Sequence, residues 1–255
     1  MARRIQNLSF RLWTQWSRVD SYFDDLAVFS VGSLHPGGLP ATREMLGTHE
    51  WAGKNALDIG SGNGTTLLFL KFLGASPLGI ERSPMMREAA RQNGVASKHL
   101  IAGDIERLNL ASLERRPFDA VIFEGVLGFV DNPREILTRI SERLTASGKI
   151  FISDWMPHAR MRLPEYGFIP HGRTDPTQLE VALKSHGFCC TRQNVSCRAR
   201  AFDLELEEGE RRAAMFFPRV RASLLRSVVA RKMAKLSKAL PTDLVTERFI
   251  LTAVR

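Results

Sequence analysis

From residue 55 to residue 155, short apolar runs alternate with longer segments of helical period. NALDIG, PLGIE, KHLIAG, FDAVIFEG and KIFISDW read as strands. GNGTTLLFLKFLG, PMMREAARQNG and PREILTRISERLTASG read as helices between them. Gly74 and Gly94 stand just past two of those helices and Pro84 near the start of one, as helix-end chemistry demands. DAVIF and KIFIS are almost continuously apolar, which fits strands buried on both faces. This alternation calls for right-handed crossovers onto a parallel sheet with helices on both faces, an α/β architecture.

On either side of this region the pattern changes. Phe10, Trp13, Trp16, Tyr22, Phe23 and Phe29 crowd an N-terminal stretch with helical period at about 6–28. VGSLHPGGLP is a turn, and Pro40 opens a helix through ATREMLGTH. Beyond Trp155 an irregular loop leads to a helix over PTQLEVALKSHG. Two further strands follow, FCCTRQNVSCRARAF and ERFILTAVR. No apolar run approaches the ~20 residues of a membrane-spanning helix. The three cysteines, Cys189, Cys190 and Cys197, make neither a disulfide framework nor a four-ligand zinc site. A cytoplasmic setting and no bound metal are expected. The place of Cys189 and Cys190 in a strand predicts buried, inert thiols.

The net charge of +9, from 36 Lys and Arg against 27 Asp and Glu, is unevenly spread. Residues 211–240 carry nine basic side chains and no acidic one, which is the whole surplus, and AFDLELEEGE precedes them. Within that stretch Val220, Leu224, Leu225, Val228, Val229, Met233, Leu236 and Leu240 recur at the spacing of one helical face. A solvated helix face is the simplest reading. A basic patch for an anionic membrane or a nucleic acid is the alternative.

The informative unit is ALDIGSGNG, followed by a helix and a second strand that ends in Glu81. Gly60, Gly62 and Gly64 take the backbone through a sharp strand-to-helix turn where side chains would block a ligand. Glu81, 17 residues beyond Gly64, is placed to accept both hydroxyls of a ribose. Together these features indicate an adenosine-containing cofactor. Asp58 narrows the choice, because an acid two residues before the first glycine repels a pyrophosphate and suits a cation. S-adenosylmethionine carries a sulfonium and an ammonium and no phosphate, so charge favours it over NAD, FAD or ATP. AGDIE sets Asp104 and Ile105 at the end of the third strand, where a carboxylate and an amide can meet adenine. Each residue has a plainer alternative: Asp58 as a helix cap, Glu81 as a surface acid, Asp104 and Glu124 as turn residues.

With LDIGSGNG, GIERS, AGDIE and FDAVIFEGVLGF, the chain resembles the class I S-adenosylmethionine-dependent methyltransferases. The likeness covers roughly residues 54–155. HPGG before a helix is similar to a subset that acts on small molecules. The resemblance implies a Rossmann-like seven-stranded sheet of order 3-2-1-4-5-7-6, mainly parallel, with only the seventh strand antiparallel. It implies Asp58, Gly60 and Gly62 at the methionine portion, Glu81 at the ribose, Asp104 with Ile105 at the adenine, and Glu124 with Gly125 beside the methionine portion and the methyl group. It also divides the chain into an N-terminal cap (1–50), a core (51–200), a charged helical insertion between the last two strands (201–244) and the last strand (245–255). The insertion and the aromatic N-terminus are expected to form a lid.

Methyl transfer needs the acceptor atom aligned behind the methyl carbon, and a base only where the acceptor arrives protonated. His35, Glu124 and Tyr166 are candidate bases, and no sequence feature selects among them. FEGVLGF lacks the Asn or Asp, Pro-Pro and aromatic of a nucleic-acid amino methyltransferase. No nucleic acid is expected, and the expected acceptor is a small molecule. RNA or protein methylation, a membrane-associated enzyme for a lipid-like acceptor, an NAD-linked oxidoreductase, and a cofactor-binding protein without turnover are the rivals. A monomer or homodimer is expected.

Overall fold

The computed structural model describes residues 13, 19–29, 37–110, 113, 117–156, 175–198, 205–239 and 245–255. His35, His158, Tyr166 and His171 lie outside the described residues, and so does most of the loop after Trp155.

The seven strands are β1 (Asn55–Ile59), β2 (Ser76–Glu81), β3 (Leu100–Ala102), β4 (Phe118–Glu124), β5 (Leu144–Trp155), β6 (Cys189–Arg198) and β7 (Val245–Val254). They form one sheet in the order β3-β2-β1-β4-β5-β7-β6. Neighbours from β3 to β5 run parallel, and β7 is antiparallel to both β5 and β6. This is the expected order and polarity. The direction of sheet growth reverses between β1 and β4, which opens a crevice at their carboxyl ends.

The eight helices of the described residues are α1 (Val19–Phe29), α2 (Gly38–Leu46), α3 (Thr65–Phe72), α4 (Pro84–Gln92), α5 (Pro133–Ser141), α6 (Pro176–Ser185), α7 (Leu206–Phe216) and α8 (Ala222–Ala239). Three of them start on the same device, a capping side chain followed by proline. Ser83, Asn132 and Asp175 each accept from a backbone amide in the first turn, and Pro84, Pro133 and Pro176 supply the preset φ.

Strand alternation sorts the core into two layers. Leu57, Ile59, Val121 and Phe123 pack with Ile136, Leu137 and Ile140 of α5 and Leu179 and Leu183 of α6. On the other face Ala56, Ala120, Ile122 and Phe151 pack with Met45 and Leu46 of α2 and Leu70 of α3. A third cluster lies apart from both. It joins Trp13 and α1 to Met85, Met86 and Ala89 of α4 and to the buried stripe of α8, Leu225, Val228, Val229, Met233 and Leu236. Burying those five α8 side chains contributes on the order of 10 kcal/mol before chain entropy.

The structure departs from three sequence expectations. The helix read over residues 133–148 stops at Ser141. Leu144 then pairs with Phe118, so β5 begins five residues early and passes an irregularity before its main register. Cys189 is exposed and Cys190 half-buried, because β6 is the edge strand of the sheet. Leu224 is 50% exposed, outside the buried face of α8 to which its spacing assigned it. Leu240 lies outside the described residues.

Candidate active site

Three carboxylates reach the crevice by simple periodicity. Asp58 pairs in register with Gly79 of β2 and Ile122 of β4. Glu81 and Glu124 each lie two residues further along those strands. A period of two therefore sets all three side chains on the same face, at the carboxyl ends of β1, β2 and β4. Their side chains are buried, and all three line one cleft with Gly60, Gly62, Asp104 and Ile105. Every expected cofactor residue is thus in one place.

The glycine turn closes under this cleft. Gly60 has φ +70°, and a Cβ there would stand 2.4 Å from Val126 Cγ2. Gly64 has φ +79° at the N-cap of α3, with a Cβ position 2.5 Å from Val95 Cγ2. Both positions are closed to L side chains by conformation and by space. The turn is pinned to β2, since the amides of Gly60 and Ser61 both donate to the Ile80 carbonyl at 2.8 and 3.1 Å.

Glu81 is oriented by two backbone donors: Gly62 N–H to Oε2 at 2.9 Å and Ser83 N–H to Oε1 at 2.7 Å. Burial raises its carboxyl above the usual range, opposed by those two amides and by the charges of Arg82 and Arg87. Asp104 spends one oxygen on its own turn, accepting from the Glu106 amide at 3.1 Å. The plainer turn role and a ligand role are therefore compatible, one on each oxygen.

Asp58 differs from its neighbours. It is 2% exposed, and its Oδ2 has no hydrogen-bond partner among the described residues. Burial pushes its carboxyl well above the usual carboxylate range, and the charges of Glu124 and Glu81 push it further. A buried, unpaired acid beside two others is costly unless a cation completes the site. The N-cap of the following helix is Gly64, not Asp58.

Glu124 is clamped. Thr66 Oγ1 donates to Oε2 at 2.7 Å, and Thr42 Oγ1 donates to Oε1 at 3.1 Å and Oε2 at 3.3 Å. It therefore ties β4 to α2 and α3 and is more than a turn residue. One side of the cleft is apolar and aromatic: Tyr22, Phe23 and Leu26 of α1, with Met86, Val126, Phe129, Val130 and Trp155. Phe23 meets Tyr22 and Phe129 edge-on, at centroid distances of 5.3 and 5.0 Å. Burial raises the Tyr22 phenol far above its ordinary value, so it stays protonated.

A family model described as a methyltransferase domain matches residues 39–193, more than half of the chain. The chain belongs to the S-adenosylmethionine-dependent methyltransferase family. Two curated relatives are ubiquinone biosynthesis O-methyltransferases. The mitochondrial enzyme of Schizosaccharomyces pombe is 31% identical over 109 residues, covering 40% of this chain and 38% of its own length. That of Xanthomonas oryzae is 30% identical over 103 residues, covering 40% of this chain and 43% of its own. The chain thus spans about two fifths of the relatives it matches. Among solved structures, phosphoethanolamine N-methyltransferase 2 of Haemonchus contortus superposes with a TM-score of 0.59 at 18% identity. That match covers 93% of this chain and 58% of that one. An S-adenosylmethionine-dependent methyltransferase from Mesorhizobium loti gives 0.54 at 20%, over 85% and 96%. At such identities the two structures establish the fold.

The residues of this methyltransferase fit its cofactor. An orphaned buried carboxylate faces the cleft at Asp58, and Gly60 lets the backbone approach where a Cβ has no room. Sequence reasoning missed the threonine clamp, Phe129 and Trp155; it expected the aromatic N-terminus as a lid without assigning Tyr22, Phe23 or Leu26 to the cleft. Trp155 had a signal, since it ends a strand at the carboxyl edge where ligands of open α/β sheets bind. Thr42 had none, because only tertiary packing brings its hydroxyl to Glu124. Asp24 was missed too: its Oδ1 accepts from Ser83 Oγ at 2.8 Å, linking α1 to the residue whose amide holds Glu81.

Proposed function

We propose that this methyltransferase moves the methyl group of S-adenosylmethionine to the oxygen of a small phenol that bears an apolar substituent. The observation that carries this reading is the aromatic wall of Tyr22, Phe23, Phe129 and Trp155, in the same cleft as the three acids. A flat apolar acceptor packs there by area and by edge-to-face contacts. The ubiquinone O-methyltransferase names of the curated relatives support it.

S-adenosylmethionine supplies a methyl carbon made electrophilic by its sulfonium. Asp58 holds the cationic methionine end. Glu81, oriented by Gly62 and Ser83, accepts from the ribose hydroxyls. Asp104 and Ile105 border the adenine. Tyr22 keeps its proton and donates toward the acceptor oxygen or packs on its ring. Phe23, Leu26 and Trp155 exclude water, so the acceptor oxygen is held in line rather than solvated. A phenol must lose its proton on the way, and Glu124 is the acid we assign to receive it, aimed by Thr42 and Thr66.

A transfer screen over phenols, catechols, amines, thiols, RNA and peptides, read by adenosylhomocysteine release, tests this reading. Release with phenols is expected; release with an amine or RNA and with no phenol overturns it. Glu124→Gln separates the roles of Glu124. With a phenol, kcat is expected to fall about 10²–10⁴-fold while cofactor affinity changes little. An equal loss of cofactor affinity places Glu124 at the methionine end instead.

A further inference from the structure

The turn between α7 and α8 is left unused by the catalytic reading. Residues 215–224, MFFPRVRASL, contain no acid. Phe217 anchors this turn, being 2% exposed and stacked on Trp13 at 4.9 Å between centroids. Around the anchor Met215 and Leu224 are 54% and 50% exposed, two of the few large apolar side chains so placed among the described residues. Arg219 and Arg221 are exposed and carry no ion pair or side-chain hydrogen bond among the described residues. Four other cations of residues 211–240 are taken: Arg211 and Arg212 by Glu208, Arg226 by Glu210, and Lys232 by Asp25. The basic surplus read from the sequence is thereby partly neutralised along the helices and left open at their tip. Along the arms the acids Glu205, Glu207, Glu208 and Glu210 of α7 and its N-cap are matched by cations of α8 such as Arg226, Arg231 and Lys235, whereas the turn holds Arg219 and Arg221 and no acid.

We propose that the α7–α8 tip docks the enzyme on an anionic lipid bilayer, with Met215 and Leu224 entering the interface and Arg219 and Arg221 meeting lipid phosphates. An acidic protein surface would meet the same arginines. A short convex tip bearing two apolar side chains favours a bilayer, which needs no matching pocket. Both α7 and α8 pack on α1, the helix that gives Tyr22, Phe23 and Leu26 to the cleft. Docking through the tip therefore bears on the helix that forms the acceptor wall. The proposal deepens the phenol reading by naming the source of the acceptor, an apolar molecule dissolved in a membrane.

Co-sedimentation of the full chain with phosphatidylcholine vesicles, with and without phosphatidylglycerol, at low and high salt, tests it. Binding is expected only to the anionic vesicles and is weakened by salt. Arg219→Gln with Arg221→Gln should reduce it about 30-fold, roughly fivefold per arginine, and Met215→Ser with Leu224→Ser should reduce it independently. All four side chains are exposed, so circular dichroism and turnover of a water-soluble phenol should match the parent chain. Absence of binding to anionic vesicles at low salt overturns the proposal, and so does equal binding by parent and variants. A change of mass in light scattering without vesicle binding assigns the tip to a protein contact and overturns it as well. Sedimentation needs neither acceptor nor turnover, so a failed phenol screen and a failed docking experiment are separate results.

Discussion

Asp58→Asn should make the ligand-free protein more stable and its cofactor binding weaker, two effects of opposite sign from one nearly isosteric change. The side chain is 2% exposed, its Oδ2 lacks a partner among the described residues, and burial with Glu124 and Glu81 raises its carboxyl well above the usual range. A group whose folded-state pKa lies above its unfolded value of about 3.9 binds a proton more tightly in the native state. Native stability is then lost as pH rises from the unfolded value through the raised folded one. Asparagine carries no charge and abolishes that slope. Leaving a buried polar group unsatisfied costs about 1–3 kcal/mol, and more for a charge. At alkaline pH the variant should therefore gain about that much, with about 2–4 °C in Tm per kcal/mol for a domain of this size. Loss of a contact to a charged group costs about 1.5–3 kcal/mol, so S-adenosylmethionine affinity should fall roughly 10- to 100-fold. In the parent chain, cofactor binding should strengthen as pH rises through the raised pKa of Asp58 and should release a proton to the buffer. Thermal melts against pH and calorimetry in buffers of different ionisation enthalpy measure both quantities. A variant that melts lower and binds as tightly as the parent would refute the reasoning, because Asp58 would then be a structural residue with a partner.

Three other substitutions probe the surroundings of the site. Gly60→Ala must place a Cβ 2.4 Å from Val126 Cγ2 at φ +70°; a stability loss of about 1–3 kcal/mol with weaker cofactor binding is expected, and an unchanged melt counts against the turn geometry. Asp24→Asn alters the acceptor of the Ser83 hydroxyl while leaving Glu81 in place; KM for the cofactor should rise and α1 should exchange amide hydrogens faster, with kcat at saturation little changed, and a fall in kcat alone would contradict this coupling. Lys232→Met leaves Asp25 buried opposite an uncharged side chain, where the native pair stands at 3.0 Å with both side chains fully buried; a loss of about 3–5 kcal/mol is expected, with part recovered by adding Asp25→Asn, and denaturant melts that show no recovery would mean the ion pair is not what is being broken.

What the sequence revealed and what it withheld divide along one physical line. The strands and crossover helices follow from local period and from Gly, Pro and cap residues, all of which act within a few positions. The three acids were legible for the same reason, since each sits a fixed step from a glycine turn or a strand end, and a period of two turns their side chains to one face. The wall that faces the acids depends on contacts between distant parts of the chain. Tyr22 reaches the cleft only because α1 packs on α4, α7 and α8, and Lys232 is tolerated inside the apolar stripe of α8 only because Asp25 arrives from about two hundred residues away. Read alone, Lys232 is one more cation in a basic run; folded, its ammonium sits over the ring of Trp13, 5.6 Å from the centroid, and links the two ends of the chain. The same contacts explain why the inserted helices contribute no lining residue among those described, yet can still govern the acceptor: they hold α1, and α1 holds the wall. We therefore propose that the N-terminal segment and the insertion act as one lid, and that changes in the buried face of α8 will alter acceptor selection through α1 before they alter the grip of Asp58 and Glu81 on the cofactor.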